Sequence, residues 1–203
     1  MLKIALVGQK GGVGKTVVSQ VLVNAALAKS EDIKVLLVET DEQGSSATYH
    51  LRATKRYPDL GARFHCTVCT DEMDLESILD QADADGFDYA IIDTAGSHKE
   101  LSKYVLGEAD KIIIPVRLLL NDWSDKTRMT VDQKNVLSAI FEEPHLADFF
   151  VPTRNGFDTL DQGYVIYREL LSDEVKSNPL VKKARMEELE IVSTTLKSIE
   201  AMQ

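Results

Sequence analysis

The sequence of 203 residues has only two cysteines, Cys66 and Cys69, too few for a disulfide-stapled secreted scaffold. No apolar run approaches the roughly 20 residues that a membrane span needs. The opening MLKIALVG is short, lacks a small-residue cleavage site and leads directly into a glycine-rich segment, unlike a signal peptide. The expectation is a cytoplasmic protein without a membrane partner. An excess of positive charge is missing too: the net charge is −10, so there is no global attraction to nucleic acid. Any DNA contact must come from a local patch or from several subunits acting together. Internal repeats are absent. A hydrophobic share of 44% and a charged share of 28% are ordinary for a globular chain, and the length suits one domain able to bury a core.

The chain alternates segments of β type and helical type. Residues 2–8, 34–39, 88–93 and 111–115 are apolar runs suited to strands buried on both faces, and residues 63–69 read as a further strand. Residues 16–28 carry apolar positions at helical spacing, residues 75–84 read as a helix with Gly86 at its C-cap, and residues 122–141 read as a long helix. A last strand is expected at 149–153, and a helical remainder from 158, broken near Asn178 and Pro179. Strands alternating with helices predict an α/β fold: three layers, with a mainly parallel twisted sheet flanked by helices. Ligands bind such sheets beyond the C-terminal strand ends. The expected organisation is one domain over 1–203, with the motifs within 1–155 and a helical part at 156–203.

The first strand end carries Gly8-Gln9-Lys10-Gly11-Gly12-Val13-Gly14-Lys15-Thr16, then a helix. Glycines let the backbone curl so that successive N–H groups meet phosphate oxygens, and the helix adds the positive end of its dipole. Lys15 would reach the β- and γ-phosphates and Thr16 would place its hydroxyl on Mg²⁺. The expected nucleotide-binding residues are Lys10, Gly11, Gly12, Val13, Gly14, Lys15, Thr16 and Val17, with ATP and Mg²⁺ as cofactors. Two more strand ends are acidic. Residues 39–44 read Glu-Thr-Asp-Glu-Gln-Gly, and residues 93–96 read Asp-Thr-Ala-Gly. An apolar strand delivering one aspartate, Asp93, is the Walker B arrangement, in which the carboxylate holds Mg²⁺. The bland alternatives are an acidic loop capping the next helix at 39–44 and a helix N-cap at Asp93.

The sequence K-G-G-x-G-K-T, with its early lysine Lys10 and with Gln9 where a strict phosphate loop has glycine, resembles the ParA/MinD superfamily of deviant Walker A ATPases. Within it the best match is the small, ParF-like plasmid partition type. The resemblance implies that Lys10 reaches a partner subunit's nucleotide, as an arginine finger does. Residues 39–44 are similar to the family's D-x-D-P-Q switch. Asp41 matches its second aspartate, assigned to the attacking water and the Mg²⁺ shell, while Glu39 replaces the first aspartate and Glu42 the proline. Asp93 to Gly96 resembles the second switch, and Arg154 stands where relatives contact adenine. Catalytic roles thus fall on Lys10, Lys15 and Asp41, and metal binding on Thr16, Asp41 and Asp93. The implied activity is a slow ATP hydrolase acting as an ATP-dependent homodimer in plasmid or DNA partition. It implies non-specific DNA and a centromere-binding adaptor that stimulates hydrolysis as partners, with nucleoid association. The alternative is a VirC1-like ATPase that recruits factors for conjugative DNA transfer.

A third possibility is an electron-transfer ATPase that bridges a cluster through Cys66 and Cys69. On a strand, however, residues three apart face opposite sides, and the bland reading is structural cysteines. A tyrosine kinase of the superfamily would need a tyrosine-rich tail, and no tyrosine follows Tyr167. Two basic stretches, Arg52 with Lys55, Arg56 and Arg63, and Lys182 with Lys183 and Arg185, are candidate DNA contacts or simply solvated surface. Asp71 to Asp88 carries eight acidic residues and no basic one, a face that should repel DNA. The apolar stripe Leu189, Val192, Leu196 and Ile199 is expected to pack on the sheet.

Overall fold

The computed structural model describes residues 1–8, 14–41, 44–95, 99–115, 160 and 162–201. Among the described residues, five strands form one sheet: β1 (Leu2–Leu6), β2 (Val35–Glu39), β3 (Phe64–Val68), β4 (Tyr89–Asp93) and β5 (Lys111–Ile113). All neighbours run parallel, in the order β3-β2-β4-β1-β5. The fold is therefore α/β with a parallel sheet, as the alternation of segments implies. The helices between strands are α1 (Lys15–Leu27), α2 (Ser45–Arg56), α3 (Glu72–Ala84) and α4 (Lys99–Glu108). The C-terminal part adds α5 (Ile166–Glu169), α6 (Asp173–Ser177) and α7 (Pro179–Ala201). The expected helix at 122–141, the strand at 149–153 and Arg154 lie outside the described residues.

Strand alternation sorts the core into two layers. Ile4, Leu6, Val35, Leu37, Phe64 and Ile91 pack on one face with α1, α2 and α7, while Ala5, Leu36, Val38, Ala90 and Ile92 pack on the other with α3 and α4. This division follows from right-handed crossovers. Moving outward from β1 to β2 to β3 puts α1 and α2 on one face; turning back to β4 and on to β5 puts α3 and α4 on the other. Gly86, at φ +75, ends α3 in the left-handed conformation that favours glycine. The chain breaks between α6 and α7 at Asn178, just before Pro179.

The stripe on α7 is buried at Val192, Leu196 and Ile199, in one core layer with the sheet residues and α1. Two expectations need correction. Arg63 does not belong to a basic surface. It is 6% exposed, donates to the carbonyls of Leu27, Ser30 and Ile33 and pairs with Glu31 at 2.7 Å. It lies over the end of α1 and the turn that follows, where helix-terminal carbonyls need donors. Arg185 is likewise engaged, with Glu188 at 2.7 Å. Among the described residues, no helix is long and apolar enough to cross a membrane.

Candidate functional site at the ends of β1, β2 and β4

Parallel register fixes the site before any side chain is considered. Leu6 of β1 and Glu39 of β2 both pair with Asp93 of β4, so three strands end level with one another. The loops beyond them are stitched together. The Thr40 N–H donates to the Asp93 carbonyl at 3.0 Å, and the Thr94 N–H to the Leu6 carbonyl at 3.3 Å. Thr94 Oγ1 also donates to that Leu6 carbonyl at 2.6 Å, and the Ala95 N–H to Thr40 Oγ1 at 2.8 Å. The N–H groups of Thr40, Thr94 and Ala95 thus each find an acceptor, as a water-poor site requires.

Gly14 caps α1 at φ 95, ψ 16, a left-handed position that any side chain would strain. Gly14 offers no capping side chain, and the first turn of α1 itself carries no acidic residue. Lys15 is only 9% exposed and folds back to donate to the Gly8 carbonyl at 3.0 Å. Thr16 is half-buried and Val17 is 40% exposed. Lys10, Gly11, Gly12 and Val13 lie outside the described residues, as do Glu42, Gln43 and Gly96.

Asp93 is 2% exposed and accepts from Ser46 Oγ at 2.7 Å. Burial pushes its carboxyl above the usual aspartate range, against the hydroxyls of Ser46 and Thr16 and the charge of Lys15. Glu39, also 2% exposed, accepts from the Asp41 N–H at 3.0 Å on Oε1 and from the Ser46 N–H at 2.8 Å on Oε2. Its carboxyl too is raised by burial, with those two N–H donors opposing and Asp93 adding to the rise. Asp41 itself is half-buried at the turn beyond β2, where its carbonyl accepts from the Gly44 N–H at 3.0 Å.

The structure thus brings Lys15, Thr16 and Asp93 together. Sequence reasoning missed Ser46 and the work of Glu39. Gly44 caps α2 with no side chain, so the α2 N–H groups need an acceptor from elsewhere, and Glu39 supplies it. A serine just inside a helix that begins at a glycine was the available signal.

The donor set fits Mg·ATP. A carboxylate and hydroxyl oxygens are the hard donors Mg²⁺ takes, typically with few protein ligands. A buried lysine at a helix N-terminus suits phosphate. The two cysteines do not share a face: Cys66 packs against the core layer of α1 and Cys69 lies in that of α3. Burial pushes the Cys66 thiol up to about 12 and raises Cys69 as well, which marks unreactive sulfurs. Among the described residues, no three His, Cys, Asp or Glu side chains gather as a metal-holding group.

Known proteins match the chain in sequence and in fold. The family model described as VirC1 protein matches residues 1–127. Protein virC1 of Rhizobium rhizogenes is 33% identical over 110 residues, covering 54% of this chain and 46% of that protein. Protein virC1 of Rhizobium radiobacter is 33% identical over 114 residues, with the same coverage of 54% and 46%. The chain therefore spans about half the length of the curated relatives it matches. The solved structure of apo McdA from Cyanthece superposes with a TM-score of 0.63 at 16% identity, covering 99% of this chain and 100% of that one. This likeness is one of fold.

Proposed function

We propose, from the premise that the chain belongs to the VirC1 protein family and with it to the ParA/MinD superfamily, that it binds and slowly hydrolyses Mg·ATP and that its nucleotide state gates its assembly on DNA. The observation that carries this reading is the convergence of Lys15, Thr16 and Asp93 at level strand ends, with Asp93 buried and hydrogen-bonded by Ser46. Lys15 would hold the β- and γ-phosphates, and the glycines from Gly11 to Gly14 would cradle them with backbone N–H groups. Thr16 and Asp93 would hold the cation, Asp41 would orient water and join the Mg²⁺ shell, and Arg154 would contact the adenine. Bound Mg·ATP supplies the transferable phosphoryl group and a cation that neutralises its charge. Lys10 would act across an ATP-dependent homodimer, offering positive charge where negative charge develops.

In the partition reading, a centromere-binding adaptor stimulates hydrolysis and the dimer holds non-specific DNA. The match to the VirC1 family favours the second use, recruitment of factors for conjugative DNA transfer. Both rest on the same switch. Mass in solution, with ADP and with a non-hydrolysable ATP analogue, tests it for the wild type and for Lys10→Ala. A dimer with the analogue alone, and a variant that binds ATP but hydrolyses it poorly, supports the switch. A monomer under all conditions with normal hydrolysis by the variant overturns it.

A further inference from the structure

A continuous chain of hydrogen bonds joins two acidic strand ends. The Asp41 N–H donates to Glu39 Oε1, the Ser46 N–H to Glu39 Oε2, and the Ser46 hydroxyl to Asp93 Oδ2, at 3.0, 2.8 and 2.7 Å. Glu39 and Ser46 are 2% and 0% exposed, so water does not compete for these bonds. We propose that Glu39 and Ser46 are positioning residues. Glu39 pins both ends of the Asp41 turn, and Ser46 ties that turn to Asp93 by occupying one of its two carboxylate oxygens. The inference rests on the ATPase reading above and deepens it.

Two features of this chain support it. Glutamate is long enough to span from Asp41 to Ser46, and both its oxygens are used. A glycine precedes Ser45 at φ 65 and gives α2 no side-chain cap, so the carboxylate of Glu39 supplies the acceptor that the helix start lacks. Because Ser46 bridges to Asp93, displacement of the turn also removes a donor from Asp93, so the two acidic residues hold their places together.

The test uses the full chain with Mg²⁺ and ATP. Glu39→Gln replaces one accepting oxygen with an N–H₂ that faces an N–H donor. Its kcat is expected to fall about tenfold or more with KM for ATP changed less than about threefold, while the Asp41 and Ser46 amides exchange faster with deuterium. Ser46→Ala should lower kcat and raise the Mg²⁺ concentration for half-maximal rate, and Ser46→Thr should restore both. Wild-type kcat, Mg²⁺ requirement and amide protection in Glu39→Gln and Ser46→Ala overturn the proposal, as does a loss of thermal stability alone. If the wild type neither binds nor hydrolyses ATP, the functional reading fails, and amide exchange then decides the clasp by itself. Unchanged protection in Glu39→Gln sinks it, and lost protection sustains it.

Discussion

Glu39 and Asp93 stand opposite one another in the parallel register of β2 and β4, each 2% exposed. Two buried carboxylates at adjacent positions are costly. Burial and mutual repulsion both favour their neutral forms, and the N–H and hydroxyl donors around them offset only part of that cost. Such an arrangement trades stability for a site.

Asp93→Asn removes the buried charge but keeps the shape and an acceptor for Ser46. Thermal stability near neutral pH should be unchanged or higher by roughly 1 kcal/mol, while Mg²⁺-dependent phosphate release falls at least about a hundredfold. Thermal denaturation and a phosphate assay, run on the same preparation, check both halves. A variant that is much less stable contradicts the energetic account, and one that is still active contradicts the assignment of Asp93.

Lys15→Ala should abolish binding of a fluorescent ATP analogue, with Kd rising at least about a hundredfold. It leaves the Gly8 carbonyl without its donor, so a small stability loss, about 1 kcal/mol, accompanies it. Equal analogue affinity in variant and wild type would remove Lys15 from the site.

Gly163 sits at φ +82, and a Cβ there would lie 2.6 Å from the Ala53 backbone nitrogen. The C-terminal segment passes so close to α2 at this point that only hydrogen fits. Gly163→Ala should cost about 2–4 kcal/mol through strain and displaced backbone. At about 2–4 °C per kcal/mol for a chain of this size, Tm should drop several degrees. A change under a degree would refute the packing.

Asn24 is fully buried and completely used. Its Nδ2 donates to the Gln20 carbonyl at 2.9 Å and to Tyr49 Oη at 3.0 Å, and its Oδ1 accepts from the Ile166 N–H at 2.8 Å. It joins α1, α2 and α5 at one point. Asn24→Ala strands a buried donor on Ile166 and a buried acceptor on Tyr49, for about 2–3 kcal/mol, whereas Tyr49→Phe strands only one amide hydrogen, for about 1 kcal/mol. Urea denaturation of the two variants should show this order.

Lys29 bridges α1 to Glu200 of α7 at 2.7 Å, and both reach Tyr89. Burial pushes the Glu200 carboxyl up, but hydrogen bonds from Lys29 and Tyr89 outweigh it and leave it below the usual glutamate value. Hydrogen bonds that Lys29 donates to Glu200 and Tyr89 raise its own value. A depressed carboxylate stabilises above its unfolded pKa and stops doing so as pH falls through the folded value. The contribution should therefore be present from about pH 5 upward and vanish in more acid solution. With side chains 42% and 27% exposed, solvent and salt hold it to about 0.5–1 kcal/mol. Glu200→Gln should lower stability at pH 7 by that amount and not at pH 3, as read by denaturant midpoints.

The sequence showed the strands β1, β2 and β4 plainly because a strand buried on both faces leaves an unbroken apolar run. Helices α2 and α4 were harder to see. Only Ser46, Tyr49 and Ala53 of α2 are buried, and α4 buries Leu101 and Val105, so their polar faces hide the period. Arg63 read as a surface cation because its carbonyl partners come from the end of α1, some thirty positions away in the chain. Glu39 read as a substituted aspartate, whereas its two acceptor bonds depend on the path of the backbone after Gly44. The strand order was out of reach of local pattern, since it is set by pairings between distant segments.

That strand order bears on the birth of the protein. β1 has no sheet neighbour until β4 and β5 exist, and Thr94 bonds to Leu6 across 88 positions. On a ribosome adding about 5–20 residues per second, the phosphate-loop motif, once made, waits roughly 4–15 seconds for the strand that gives it a floor. During that wait an apolar strand followed by glycines has its edges unpaired, the state in which a strand is most open to wrong partners.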